Sequence, residues 1–247
     1  EDSIQRNGSQ VLRLSREALV HDSMRQQQGI SQPIVSIWHS FSACNLGTTL
    51  LLQNPETLRI VNTILSAMKR KFHHQNSTGV IETILECLGL LKNLSYYGED
   101  HRHTIVNQTQ LLSTLTSLSD VPNDKARERL SAVLRNLALS VEVRSLLTQR
   151  ADVLGCLVRL FCACNRSKNT WRNIMSTITS LAIDTSLCHL IVFYGDGVLI
   201  EQLKNCVVHS QDSVARKRAL KALKLLVKDP SSTLVLLQTN RFLEILS

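Results

Sequence analysis

The chain has 247 residues, 43% of them hydrophobic, only 4% aromatic, and a formal net charge of +8. That apolar content is too high for a disordered chain, and few aromatics with 9 Gly and 4 Pro argue against an all-β domain and for helices. The excess of Lys and Arg favours an acidic partner, which could be a protein segment, a nucleic acid or a membrane surface.

Residues 1–10 are polar and read as a disordered start. Val11 to Arg25 predicts a helix with Val11, Leu12, Leu14, Ala18 and Leu19 on its apolar side, closed near Gly29. The next helix enters at Pro33 and carries Ile34, Ile37, Trp38 and Phe41. A short helix over 48–53 leads to Asn54-Pro55-Glu56, which combines an N-cap, a proline at the first helical position and an acid in the first turn. The helix after it carries Leu58, Val61, Ile64, Leu65 and Met68, and is expected to run out into a basic, polar loop over 69–79.

Beyond that point one pattern recurs. In Arg127–Leu139, Leu130, Val133, Leu134 and Leu137 fall at helical spacing and make one buried stripe. Copies lie at Cys87–Ser95, Ser176–Ile183 and Leu220–Val227, with Asn93, Asn136, Ser180 and Leu225 at the equivalent position. Those positions are 43, 44 and 45 residues apart, the period of a helical solenoid. Each unit then reads as a long, a short and a medium helix. The long helices are expected near 80–95, 124–140, 168–184 and 212–228, the short ones near 101–108, 142–149, 186–194 and 231–238. The medium ones fall near 109–119, 151–164, 197–209 and 240–247. The fold expected is all-α, a right-handed superhelix of about five three-helix repeats, forming a single domain over 11–247. Its units run roughly 11–45 (divergent), 46–98, 99–140, 141–185, 186–230 and a partial 231–247.

Little in the chain speaks for catalysis. No glycine-rich phosphate loop, Gly-x-Ser-x-Gly elbow or His-Glu-x-x-His pair is present, so no enzyme activity and no cofactor is expected. His73-His74 and His101-x-His103 read as loop histidines, and Asp184, Asp196 and Glu201 as turn or cap residues. Cys156, Cys162 and Cys164 lack a Cys-x2-Cys pair and a fourth ligand, so packing rather than metal is expected for them. Seven cysteines without paired spacing read as reduced thiols of an intracellular, cytoplasmic protein. No apolar run reaches the ~20 residues of a spanning helix, so no membrane insertion is expected. The start at Glu1 rather than Met reads as a piece of a longer protein.

Leu91-Lys-Asn-Leu-Ser95 and Leu134-Arg-Asn-Leu-Ala138 resemble the armadillo repeat at the end of its third helix. Ile105-Val106, Leu111-Leu112, Leu146-Leu147 and Val153-Leu154 come at that repeat's spacing, and the resemblance covers about residues 30–247. It implies third helices lining a concave groove, with the asparagine of the motif bonding an extended peptide. That role carries over to Asn93 and Asn136 but not to Ser40, Ser180 or Leu225. Importin-like repeats also place a Trp one turn earlier; here Gly89, Ala132, Ser176 and Lys221 stand there, so an importin-type grip on basic peptides is not implied. Within the superfamily, Gln211–Leu220 and the helical pair after it resemble the C-terminal end of rotatin-type centriolar scaffolds.

The expected function is a non-enzymatic interaction scaffold, with centriole or ciliary basal-body assembly as its setting. The candidate partner-binding residues on the concave third-helix face are Lys92, Asn93, Lys125, Arg129, Arg135, Asn136, Asn173, Ser180, Arg218 and Lys221. This face reads as acidic at Glu82 and Glu86 and basic from Lys125 onward, which suits an acidic or phosphorylated peptide or helix and no small-molecule substrate. The alternative is a nucleic-acid-binding helical repeat that uses the same basic residues.

Overall fold

The computed structural model describes residues 9–15, 17–18, 31–74, 77–163 and 167–238. The expected medium helix at 240–247, Gly29, Cys164 and residues 1–8 of the expected disordered start lie outside them; residues 9–15 are helical. Among the described residues the fold is all-α, with no strand. Two compact units divide the chain, Glu1–Leu118 and Ser119–Ser247.

In the first unit, α1 (Ser31–Phe41), α2 (Asn45–Leu52), α3 (Glu56–His74), α4 (Thr78–Leu94), α5 (Glu99–Asn107) and α6 (Thr109–Ser117) succeed one another. The third helices α1 and α4 pack side by side, and α3 packs against both α4 and α6. Apolar residues fuse the layers: Val35 and Trp38 of α1, Val61 and Leu65 of α3, and Ile84, Leu88, Leu91 and Leu94 of α4 are fully buried. Each such side chain stabilises the unit by about 1.5–3 kcal/mol. Where Trp38 meets the start of the chain, its indole nitrogen donates to Ser15 Oγ at 2.8 Å. Asn54 begins α3 as expected, its Oδ1 accepting from the Glu56 amide at 2.9 Å.

Two expectations fail in this unit. The basic stretch Lys69–His74 is the last part of α3 and not a loop. Phe72 continues the Ile64, Met68 spacing, and Lys and Arg are good helix formers, so nothing stops the helix before it. His101 and His103 likewise sit within α5, whose first turn holds Glu99 and Asp100 and whose end buries Ile105 and Val106.

The second unit contains α7 (Asp124–Leu137), α8 (Val141–Thr148), α9 (Ala151–Ala163), α10 (Lys168–Leu181), α11 (Cys188–Val192), α12 (Val198–His209), α13 (Ser213–Leu226) and α14 (Pro230–Gln238). The third helices α7, α10 and α13 form a row with α10 in the middle. Leu130, Val133, Leu134 and Leu137 are fully buried, as their spacing demands, and so are Ile174, Leu181, Leu223 and Leu226 to within 1%. The short helix expected near 186–194 is instead a 3-10 turn, Thr185–Leu187, followed by α11.

A recurrent joint closes the C-terminus of every third helix. The carbonyl just after the helix accepts a hydrogen bond from a side chain on the short helix that follows: Ser42 O from Thr48 Oγ1 (3.1 Å), Ser95 O from Arg102 Nε (3.0 Å) and Ala138 O from Arg144 Nε (2.9 Å). Ala182 O takes the Cys188 thiol at 3.5 Å and Val227 O takes Thr233 Oγ1 at 2.5 Å. These carbonyls have no partner within their own helix, so each joint satisfies a group that would otherwise be orphaned.

The cysteines divide by environment. Cys44 and Cys162 are exposed, whereas Cys87, Cys156, Cys188 and Cys206 are buried. Burial disfavours the thiolate, pushing Cys156 up to about 12 and Cys188 and Cys206 up to about 11, with Cys87 raised as well. At neutral pH a maleimide is therefore expected to label Cys44 and Cys162 quickly and the four buried thiols only in denaturant. Peptide mass mapping checks this, and labelling of Cys156 in the folded protein at the rate of Cys44 would contradict it.

Candidate functional site

The third helices of the two units differ in charge. In the first unit, α1 and α4 carry Glu82, Glu86 and Lys92 as their only residues of the Asp, Glu, Lys and Arg set. Both carboxylates take partners from α1: Gln32 Nε2 donates to Glu82 Oε2 at 3.0 Å, and His39 Nδ1 lies 2.9 Å from Glu86 Oε2. Asn93 donates through Nδ2 to Ser42 Oγ at 3.1 Å and to His39 O at 3.5 Å, which ties the end of α4 to that of α1. Lys92 beside it is exposed. A cleft of about 220 Å³ in this unit is lined by Ser31, Gln32, Met68, Ser77, Val80 and Thr83, together with Gly79, and none of these is ionisable.

In the second unit the third helices hold eleven basic and two acidic side chains. α7 supplies Lys125, Arg127, Arg129 and Arg135 against Asp124 and Glu128; α10 adds Lys168 and Arg172; α13 adds Arg216, Lys217, Arg218, Lys221 and Lys224. Lys125, Lys217 and Lys221 are exposed, and Arg129 and Ser180 are half-buried.

Polar cross-links set the spacing of the row. From α10 to α7, Asn169 Nδ2 donates to Glu128 Oε1 at 2.9 Å and Asn173 Nδ2 to Ser131 Oγ at 3.2 Å. Arg135 returns the link, donating through Nη1 to Asn173 Oδ1 and through Nη2 to Asn136 Oδ1, each at 3.0 Å. Between α10 and α13, Arg218 Nη1 donates to the Arg172 carbonyl at 2.8 Å and Thr179 Oγ1 to the Arg218 carbonyl at 3.1 Å. Arg172 grips Asp212 with Nε at 2.7 Å and Nη2 at 3.3 Å. Asp212 in turn caps α13, accepting from the Val214 and Ala215 amides. The bond from Arg172 is the main cause that holds the Asp212 carboxyl below its ordinary value. Burial, then the positive charges of Arg135 and Arg172, lower Arg218.

The expected contact residues thus separate by position. Asn136 is 1% and Asn173 6% exposed, and with Asn93 they spend their amides inside their own unit. The resemblance gives the Asn93 and Asn136 amides to a bound backbone; here each braces its own unit. The side chains that reach the surface are Lys92, Lys125, Arg129, Arg135, Ser180, Arg218 and Lys221. Sequence reading missed Arg172 and Asp212 as a pair, because 40 residues separate them; the one local signal was Asp212 as a candidate N-cap. Among the described residues no three of His, Cys, Asp and Glu converge as a metal-binding set. No single described helix is long and apolar enough to cross a membrane.

No protein-family model and no curated protein matches this sequence. Solved structures do. An engineered protein is 15% identical over 94% of this chain and 98% of its own, with a TM-score of 0.62. Two designed armadillo repeat proteins, at 14% and 15% identity, each match 91% of this chain and 92% of their own with TM-scores of 0.52. One of these was solved in complex with the peptide (KR)4. The fold is accordingly an α-solenoid of armadillo type.

Proposed function

We propose that this chain is a non-enzymatic scaffold that binds an acidic peptide segment on the third-helix face of its second unit. The observation that carries the reading is the imbalance of eleven basic to two acidic side chains on α7, α10 and α13. Opposite charge attracts such a segment and steers its approach. The peptide-bound designed armadillo protein supports a peptide as the ligand class, although its own peptide, (KR)4, is basic. The present face suits the reverse charge.

Nucleic acid is the weaker reading, because stacking platforms for bases are missing from this row. α7 and α13 contain no aromatic residue, and Trp171 of α10 packs on Phe161 with ring centroids 4.6 Å apart. Centriole or basal-body assembly, in the cytoplasm, is the setting to which the Gln211–Leu220 resemblance points, and that resemblance alone supports it.

Fluorescence anisotropy with a labelled polyglutamate peptide of about ten residues tests the reading, with (KR)4 as the opposite charge. The exposed residues Lys125, Lys217 and Lys221 can be reversed together to Glu without touching the core. The triple variant is expected to lose about tenfold or more in polyglutamate affinity while its helical circular dichroism and melting stay unchanged. Undiminished binding in the variant, or tighter binding of (KR)4 by the parent, would overturn the proposal.

A further inference from the structure

Within that basic face, Arg135, Arg172 and Arg218 form a cluster of a particular kind. They come from three different helices and meet on α10 at consecutive residues: Arg135 bonds the Asn173 side chain and Arg218 bonds the Arg172 carbonyl. Neutral acceptors orient two of the three guanidinium groups. Arg135 uses two amide oxygens and Arg218 one carbonyl, and among the described residues neither has a carboxylate partner. Only Arg172 does, in Asp212. Three cations therefore share one anion in a partly desolvated place.

A guanidinium carries five N–H donors in a fixed plane. The bonds named above occupy two on Arg135, two on Arg172 and one on Arg218, so most of the donors are not used by them. Their planes are held by rigid neighbours, so little side-chain freedom is lost when a ligand binds. The uncompensated charge of the cluster is +2, from three arginines and Asp212. A carboxylate brings one charge and two coplanar oxygens. A phosphorylated side chain brings about −1.5 to −2 and three acceptor oxygens in a tetrahedral array. It matches the charge, and its three oxygens can accept from guanidinium groups carried by more than one helix.

We infer that Arg135, Arg172 and Arg218 form a receptor for a phosphorylated serine or threonine in the bound segment. The inference rests on the acidic-segment reading above and adds to it a specific recognition element.

The test uses four probes on the full chain: a labelled peptide with one phosphoserine flanked by aspartates, its serine and glutamate counterparts, and the polyglutamate peptide. The phosphoserine peptide is expected to bind about tenfold tighter than the glutamate one at neutral pH. That preference should shrink as pH falls to about 5, because the second phosphate proton binds near pH 6. Arg135→Gln with Arg218→Gln should abolish the preference while polyglutamate binding falls far less. If that pair melts early, Arg135→Lys with Arg218→Lys keeps the charges and removes the planar forks, and the preference should still be lost. Equal binding of the phosphoserine and glutamate peptides, with polyglutamate bound, would overturn the receptor and leave the acidic-segment reading standing. Failure of all acidic probes to bind would sink both.

Discussion

Replacing Gly47 by alanine is expected to destabilise the first unit by about 3 kcal/mol or more, although alanine is the better helix former by about 1 kcal/mol. A Cβ on Gly47 would lie 1.9 Å from the Phe41 carbonyl oxygen and 2.8 Å from its carbon. Both are backbone atoms at the end of α1, so no side chain can swing away and the α1–α2 turn must open. That turn seats Thr48, which closes the Ser42 carbonyl, and Cys44, whose sulfur accepts from the Gly47 amide at 3.4 Å. Gly79 is the control. It lies in the first turn of α4, and a Cβ there would meet nothing within 4 Å, so Gly79→Ala is expected to stabilise by about 0.4–1 kcal/mol. Urea unfolding followed by Trp38 fluorescence in a Trp171→Phe background measures both. Equal stability of the two variants would contradict the close approach at Gly47.

Removal of Asp212 is expected to weaken the second unit at one defined point. Asp212→Ala takes away the N-cap of α13, worth about 1 kcal/mol, and leaves Arg172 without its carboxylate. A total of about 2–3 kcal/mol is expected, the exposure of Arg172 limiting the share of the ion pair. Asp212→Asn keeps a capping oxygen and should cost about half as much. The pH dependence separates charge from cap. Because Arg172 holds the Asp212 carboxyl low, its stabilisation is fully present above the unfolded carboxylate value of about 4 and is lost as pH falls through the lower folded value. The gap between parent and Asp212→Ala is thus expected to be constant above about pH 5 and to close in stronger acid. A gap that stays open there would show that the carboxylate charge contributes nothing.

What the sequence disclosed depends on the range over which its signals act. The stripe Leu130, Val133, Leu134 and Leu137 and the cap Asn54-Pro55-Glu56 are local, and both stand where spacing and cap chemistry put them. Their recurrence disclosed the repeat. The end of α3 is not legible because a basic run reads equally as loop or helix, and the half-buried Phe72, which keeps the Ile64, Met68 spacing, is its one apolar continuation. Asn93, Asn136 and Asn173 were visible as polar positions on third helices, but an amide looks the same in the chain whether it serves a ligand or a neighbour 42 residues away. Arg172 with Asp212, and Arg135 with Asn173, depend on which helices stack, so no short window contains them.

The joints that close the third-helix carbonyls are unequal, and in the second unit two successive ones can be compared. Arg144 holds Ala138 and Leu139 with two charge-assisted bonds of 2.9 and 3.0 Å, each worth about 1.5–3 kcal/mol when a charged donor is involved. One repeat later a thiol, among the weakest donors a protein has, faces Ala182 from 3.5 Å, and the chain there forms only a 3-10 turn and a five-residue helix. Local unfolding begins where a segment gives up least. Of these two corners that is Ala182–Val192, so the seam between these two repeats is expected to fray in mid-chain while α7 and α8 stay clasped.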